Sequence, residues 1–298
     1  MAVKFNRIIN LYFLNAKGIV TKKIITPVHG RKPSITLSGQ YAGGSFIPAF
    51  NITIKNLYLD LSGNTEYKKL KVEAGYQNNL ISFTGNVVSI GIEQPGPEGS
   101  TVIQCQQGTT EDYLSKTINT EYKQGAGLFT IMPDLAKKLG LDRAVFQNAE
   151  IPTWTLPEAI SINGTVNEAI QKIKNIFSQK NLAVTVRNEE LLVYQIGTTN
   201  TPSGVIKEVN FLQSPPQQNV GSADGANYTE FMAPWLPGLT PGDYVRFPVW
   251  AYIKYFNSVN SLTNTNIMNV TKLVFNFSTT GGNNQMTVGG TRVGGIKK

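Results

Sequence analysis

Nucleophilic or acid–base chemistry in this chain would have to start from one histidine, His29, and one cysteine, Cys105. His29 lies in the basic run Pro27-Val28-His29-Gly30-Arg31-Lys32-Pro33. A working base needs a nucleophile and an orienting acid within hydrogen-bond reach, and no residue pattern supplies either. A lone cysteine excludes an intrachain disulfide and a Cys-based metal site, and a lone histidine excludes a His-rich one. Asp134, Asp142, Glu158 and Glu168 are the carboxylates to weigh as a glycosidase-like acid pair. Helix-start and cap roles account for Asp134 and Glu168 without any chemistry. Asp224-Gly225 and Asp243 follow no calcium-loop pattern. No phosphate-cradling glycine pattern followed by Lys-Ser/Thr occurs, and no dinucleotide fingerprint. Gly281-Gly282 and Gly289-Gly290 do not sit between a strand and a helix. The residues therefore point to no catalytic, cofactor-binding or metal-binding site, and to no enzyme.

Composition narrows the class further. Of 298 residues, 41% are hydrophobic and 10% aromatic, but only 15% are charged, against roughly 25% in an ordinary domain. With 28 Gly and 15 Pro, this describes a turn-rich β protein whose surface is largely covered by partners. The formal net charge is +8. Residues 1–105 hold 11 basic and 5 acidic side chains, 106–210 hold 10 and 11, and 211–298 hold 6 and 3. That basic first third admits a second reading: an OB-like barrel gripping nucleic acid, with Tyr41, Phe46 and Tyr58 stacking on bases. No segment approaches the roughly 20 apolar residues of a membrane span. The stretch Ile8–Leu14, interrupted by Asn10, reads as a strand and not as a signal peptide. Without such a signal, the five Asn-x-Ser/Thr triplets, at Asn51, Asn163, Asn227, Asn269 and Asn276, reflect Asn/Thr abundance.

Three regions must position whatever the chain does. Residues 1–108 read as short strands with a period of two. Phe50, Ile52 and Ile54 share a face, as do Leu57, Leu59 and Leu61, and Leu70, Val72 and Ala74. Gly75 ends that last run. Ile81 and Phe83 alternate until Gly85 breaks the pattern. Val88, Ile90 and Ile92 follow, then a Pro/Gly loop from Gln94 to Gly99 and a strand from Val102 to Cys105. Residues 109–207 change character. Pro133 suits a first helical turn, with Leu135, Ala136 and Leu139 behind it and a stop at Gly140. Thr165 and Glu168 have capping-box spacing ahead of the apolar stripe Val166, Ala169, Ile170, Ile173, Ile176 and Phe177. Leu182, Val184 and Val186 alternate, Asn188-Glu189-Glu190 turns the chain, and Leu192 and Tyr194 return. Residues 208–298 are β again, with Val245, Phe247 and Val249, then Leu273, Phe275 and Phe277. The Gly-rich end, 281–298, reads as a mobile arm.

The order of these segments resembles phage tail (baseplate) hub proteins. The resemblance rests on Leu11-Tyr12-Phe13-Leu14, the strand Phe50–Ile54, Asn56-Leu57-Tyr58-Leu59, and Lys71-Val72-Glu73-Ala74-Gly75-Tyr76. The spacing from Ala74-Gly75-Tyr76 to Phe83-x-Gly85 is its most telling part. Leu135–Leu141 and the helix after Gly164-Thr165 resemble the family's α/β insert. Glu230–Asp243 is similar to the leucine-proline stretch opening its last β-domain. The chain departs from many relatives at Phe275–Gly281, where they carry a His and acidic residues. The resemblance implies a mainly β fold with an α+β insert. Two tail-tube-like β-barrel domains, 1–108 and 208–298, would flank a small α/β module at 109–207. It further implies a homotrimeric ring of six such barrels around a central channel, adapting a sixfold tail tube to a threefold central spike in the baseplate of the virion. The partners implied are the tail tube or a distal tail protein, the spike, other baseplate proteins and a tape measure protein. Nucleic acid would only pass through the channel. No cofactor is implied, and the Gly-rich end would be an arm on a neighbour or the spike. Assembly would take place in the host cytoplasm.

Overall fold

The structure is a computed structural model. It describes residues 6–27, 33–41, 49–57, 67–76, 79–93, 99–106, 116–187, 189–196, 206–209, 217–218, 228–234, 239–246, 267–281 and 284–292. The protein is mainly β with a small helical insert.

Strands from both ends of the chain make one large sheet. The N-terminal set is β1 (Arg7–Leu14), β2 (Val20–Ile24), β3 (Ile35–Tyr41), β4 (Ala49–Lys55), β5 (Lys69–Tyr76), β6 (Asn79–Glu93) and β7 (Ser100–Gln106). The C-terminal set is β13 (Ile206–Glu208), β14 (Gln217–Gln218), β15 (Tyr228–Pro234), β16 (Tyr244–Arg246), β17 (Ile267–Ser278) and β18 (Gln285–Arg292). Their order is β14-β15-β18-β17-β3-β4-β7-β6-β5-β1-β2, with β16 also on β17 and β13 on β16.

Alternation fixes the register. Ile9, Leu11 and Phe13 pair with Ala74, Val72 and Leu70, and all six are fully buried. Slipping β1 by one residue would turn that row to solvent, forfeiting about 1.5–3 kcal/mol for each large side chain. The seam between the two strand sets is β3 on β17, where Leu37 faces Phe277 and Gly39 faces Phe275. Thr279 fastens it. Its hydroxyl donates to Pro33 O at 2.6 Å and accepts from Ile35 N at 3.0 Å. Strands far apart in the order also touch. Phe83 of β6 stacks on Phe275 of β17 at 5.6 Å, and Tyr76 of β5 meets Phe277 edge-on at 5.8 Å. The sheet therefore curls back on itself around one apolar core that both strand sets share.

Gly85 does not break a strand. β6 runs unbroken from Asn79 to Glu93. A Cβ at Gly85 would lie 2.8 Å from Phe50 Cε1, so the glycine makes room for an aromatic ring on the core face. Gly75 likewise does not end its strand, which continues to Tyr76. The Gly-rich C-terminus also departs from expectation. Residues 285–292 are not an arm but β18, hydrogen-bonded between β15 and β17. Met286 and Val288 are buried there. Glycines mask the period-two signal, because they hold core positions that side chains would otherwise mark. Leu59, Leu61, the 94–98 loop, Phe247 and Val249 lie outside the described residues.

The insert, 116–196, has a separate core. It contains β8 (Thr117–Tyr122), α1 (Leu128–Leu139), β9 (Arg143–Phe146), β10 (Ile160–Thr165), α2 (Val166–Ile176), β11 (Leu182–Arg187) and β12 (Glu190–Gln195). β10 pairs with β8, and β12 lies between β11 (antiparallel) and β9 (parallel). The capping box at Thr165 and Glu168 is formed, and Gly140 caps α1 in the left-handed conformation. Pro133, expected in a first turn, is inside α1, which begins five residues earlier at Leu128. The missing N–H leaves Phe129 O without its helical donor. Both residues are on the solvent side, where the cost of that lost hydrogen bond is smallest.

Candidate functional site

Sequence chemistry is not gathered into a catalytic centre among the described residues. Cys105 of β7 is buried in the core of the large sheet, and burial pushes its thiol far above the ordinary range, so it is an apolar core group. Asp134 of α1 accepts from Tyr122 Oη at 2.5 Å and from Lys138 Nζ at 2.6 Å. Burial opposes its ionisation, but the Lys138 and Tyr122 hydrogen bonds outweigh it and hold the carboxyl below its ordinary value. Burial and the same carboxylate push the Tyr122 phenol upward. Glu168 accepts from Thr165 N at 2.7 Å. Asp142 and Glu158 are exposed. Asp134 and Glu168 thus have local structural partners. No group of three or more His, Cys, Asp or Glu able to hold a metal ion occurs among the described residues. His29, Phe46, Tyr58 and Asp224-Gly225 lie outside them, as does the side chain of Tyr41. No described helix is long and apolar enough to cross a membrane.

The polar constellation that the fold does assemble is the joint between insert and large sheet, with Asp243 at its centre. One carboxylate oxygen accepts from Gln147 Nε2 of the insert at 3.0 Å. The other accepts from Lys207 Nζ at 3.0 Å and from the Thr240 amide and hydroxyl at 2.8 and 3.0 Å. Asn148 Nδ2 reaches Tyr244 Oη at 3.4 Å, and Asn148 Oδ1 accepts from Gln195 N at 3.0 Å. Gly242 sits between these groups at φ +88°. A Cβ there would overlap Gln147 Oε1 and come within 2.9 Å of Tyr194 Cγ. A second tie, Lys69 to Glu189, joins β5 to the β11–β12 turn. Packing agrees. Leu182, Val184 and Val186 face the insert core, as alternation requires, yet Ala183, Leu192 and Tyr194 on the opposite face are buried as well. The hairpin is therefore covered on both sides, with Tyr194 against the Gly242 turn. These ties suit a mechanical role, holding the insert at a set attitude on the sheet. The sequence signal for the joint is the turn Thr240-Pro241-Gly242-Asp243, whose Thr and Asp bond locally in such turns. The partner residues, Gln147 and Lys207, leave no local sign.

No protein-family model matches the chain, and no curated protein matches it. Solved structures do. A tail protein from Neisseria meningitidis MC58 superposes with a TM-score of 0.61 over 98% of both chains, at 10% identity. The chain has a tail-protein fold. The 43 kDa tail protein of prophage MuSo2 from Shewanella oneidensis gives 0.58 at 11% identity, over 96% of this chain and 98% of that one. An Escherichia coli type VI secretion component, described as structurally similar to T4 phage tail proteins, gives 0.53 at 11% identity, over 90% and 76%. The first two matches span nearly the whole chain, strand sets and insert alike.

Proposed function

We propose that this chain is a structural hub of a bacteriophage tail or tail-like particle, without catalysis. Three copies form a ring around a channel and adapt a sixfold tube to a threefold spike. The observation that carries the reading is the likeness to the Neisseria tail protein along 98% of both chains. The type VI secretion match, described as similar to T4 tail proteins, supports a place in a tail or tail-like particle. Two tube-like halves, 1–108 and 208–298, would each supply one of six ring positions, with 109–207 as the module between them. Pairing of β3 with β17 joins the two strand sets in one sheet within each copy, which supports a continuous ring wall. The Asp243 joint would keep the module from swinging relative to that wall. Tube, spike and other baseplate proteins are the partners, and the virion tail is the location.

Sedimentation of the purified chain over a range of concentrations tests the ring. A trimer of the 32.6 kDa chain weighs about 98 kDa, and electron microscopy of that species should show an annulus with near-sixfold features. A chain that stays monomeric alone, and also with tube and spike proteins present, would end this reading.

A further inference from the structure

Several strand edges of the large sheet, those of β13 and β14 included, have no neighbour among the described residues, and two of them stand out. β2 pairs only with β1. β6 pairs with β5 over Asn79–Asn86 and with β7 over Asn86–Glu93, so from Val88 to Glu93 one of its edges is open. An open edge is a template for another strand. These two also carry most of the exposed large apolar side chains. Five of the eight described lie there: Ile19, Val20 and Ile25 by β2, and Val88 and Ile92 on β6.

Their charges are opposite. Residues 1–59 contain eight Lys or Arg and no acid, whereas 72–115 contain five acids and no Lys or Arg. Lys22 and Lys23 lie on β2 and Glu93 ends β6. None of the three forms an ion pair with a described residue. The open stretches also match in length, five residues on β2 and six on β6. The β1–β2 hairpin is set before any partner arrives. Asn15 Oδ1 accepts from the Lys17 and Ile19 amides at 2.9 and 3.0 Å, and Thr26 anchors the far end to β1, its hydroxyl donating to Ile9 O at 2.5 Å.

We infer that the β2 edge of one copy adds as a strand to the Val88–Glu93 edge of the next copy, a head-to-tail contact that closes a ring of this chain. This rests on the hub reading and names its interface. Main-chain hydrogen bonds supply the attachment, the apolar flanks are covered, and Lys22 and Lys23 set against Glu93 select this edge over others. Because the two surfaces differ, the contact is heterologous, the kind that generates rings.

Charge reversal in the full chain tests it, read by sedimentation at low and at physiological salt. Glu93→Lys, and Lys22→Glu with Lys23→Glu, should each weaken association at least about tenfold, since like charges then oppose across the contact. The triple variant should restore it. A second probe, Ile90→Pro, removes a strand residue. Because Pro can unfold the sheet, it counts only where far-ultraviolet dichroism is unchanged, and there it should leave monomer. Assembly of every folded variant with wild-type affinity overturns the edge pairing and leaves the ring to another interface. A wild-type chain that is monomeric alone but forms a ring on tube or spike also overturns the pairing as a self-sufficient contact, while the hub reading stands.

Discussion

Among the described residues, Asp243 ties together more of this protein than Cys105, Asp134 or Glu168 does. Its carboxylate takes hydrogen bonds from a turn, a strand lysine and an insert glutamine, and so ties three separate chain segments. Its neighbour Gly242 shows how tight that packing is. Gly242→Ala adds both a left-handed strain, worth about 1–3 kcal/mol, and an overlap with Gln147 and Tyr194. Gly18 has a similar φ of +74° but open space around it. Urea unfolding should therefore show Gly242→Ala losing clearly more stability than Gly18→Ala. Equal losses would mean that the joint yields to accommodate a methyl group.

Elements follow local rules where a local rule exists. The capping box starts α2 and Gly140 stops α1, as the residues themselves dictate. β18 obeys no local rule; it is a strand because β15 and β17 leave a strand-wide gap with paired hydrogen-bonding groups on both sides. The link between β8 and α1 runs through Asp134, whose carboxyl is held low by Lys138 and Tyr122 after desolvation is overcome. A depressed carboxyl contributes stability above its unfolded value, roughly 3.9, and that contribution disappears as pH falls through the lower, folded value. Asp134→Asn should thus be less stable than wild type at pH 7, with the gap closing below about pH 4. Denaturant midpoints at several pH values measure it. A gap that persists in acid would assign Asp134 a role other than its charge.

At the scale of the molecule, the shared core is the main feature. Phe275 of the C-terminal set stacks on Phe83 of the N-terminal set, so neither half is complete alone. Phe275→Ala should cost about 3–5 kcal/mol, the usual range for a buried aromatic. Hydrogen exchange should speed up together in β5–β6 and in β17–β18. Loss confined to β17–β18 would mean that the two strand sets unfold independently despite their common core.

Local periodicity alone makes much of the protein legible. Alternating Ile9, Leu11 and Phe13, and likewise Phe50, Ile52 and Ile54, are strands because only a period of two buries them. The stripe from Val166 to Phe177 is a helix because only a period of 3.6 does. Tertiary structure alone decided which strands are neighbours. That β17 joins β3 across more than 200 residues depends on core shape, which no local periodicity encodes. The same holds for Gly85, a gap filled by Phe50 and not a strand end, and for Asp243, whose partners Gln147 and Lys207 meet only once insert and sheet have packed. Residue types and spacing set local conformation through short-range sterics and burial; the joint, the seam and the two open edges arise from long-range packing, where many sequences offer equal local signals and only the complete core selects among them.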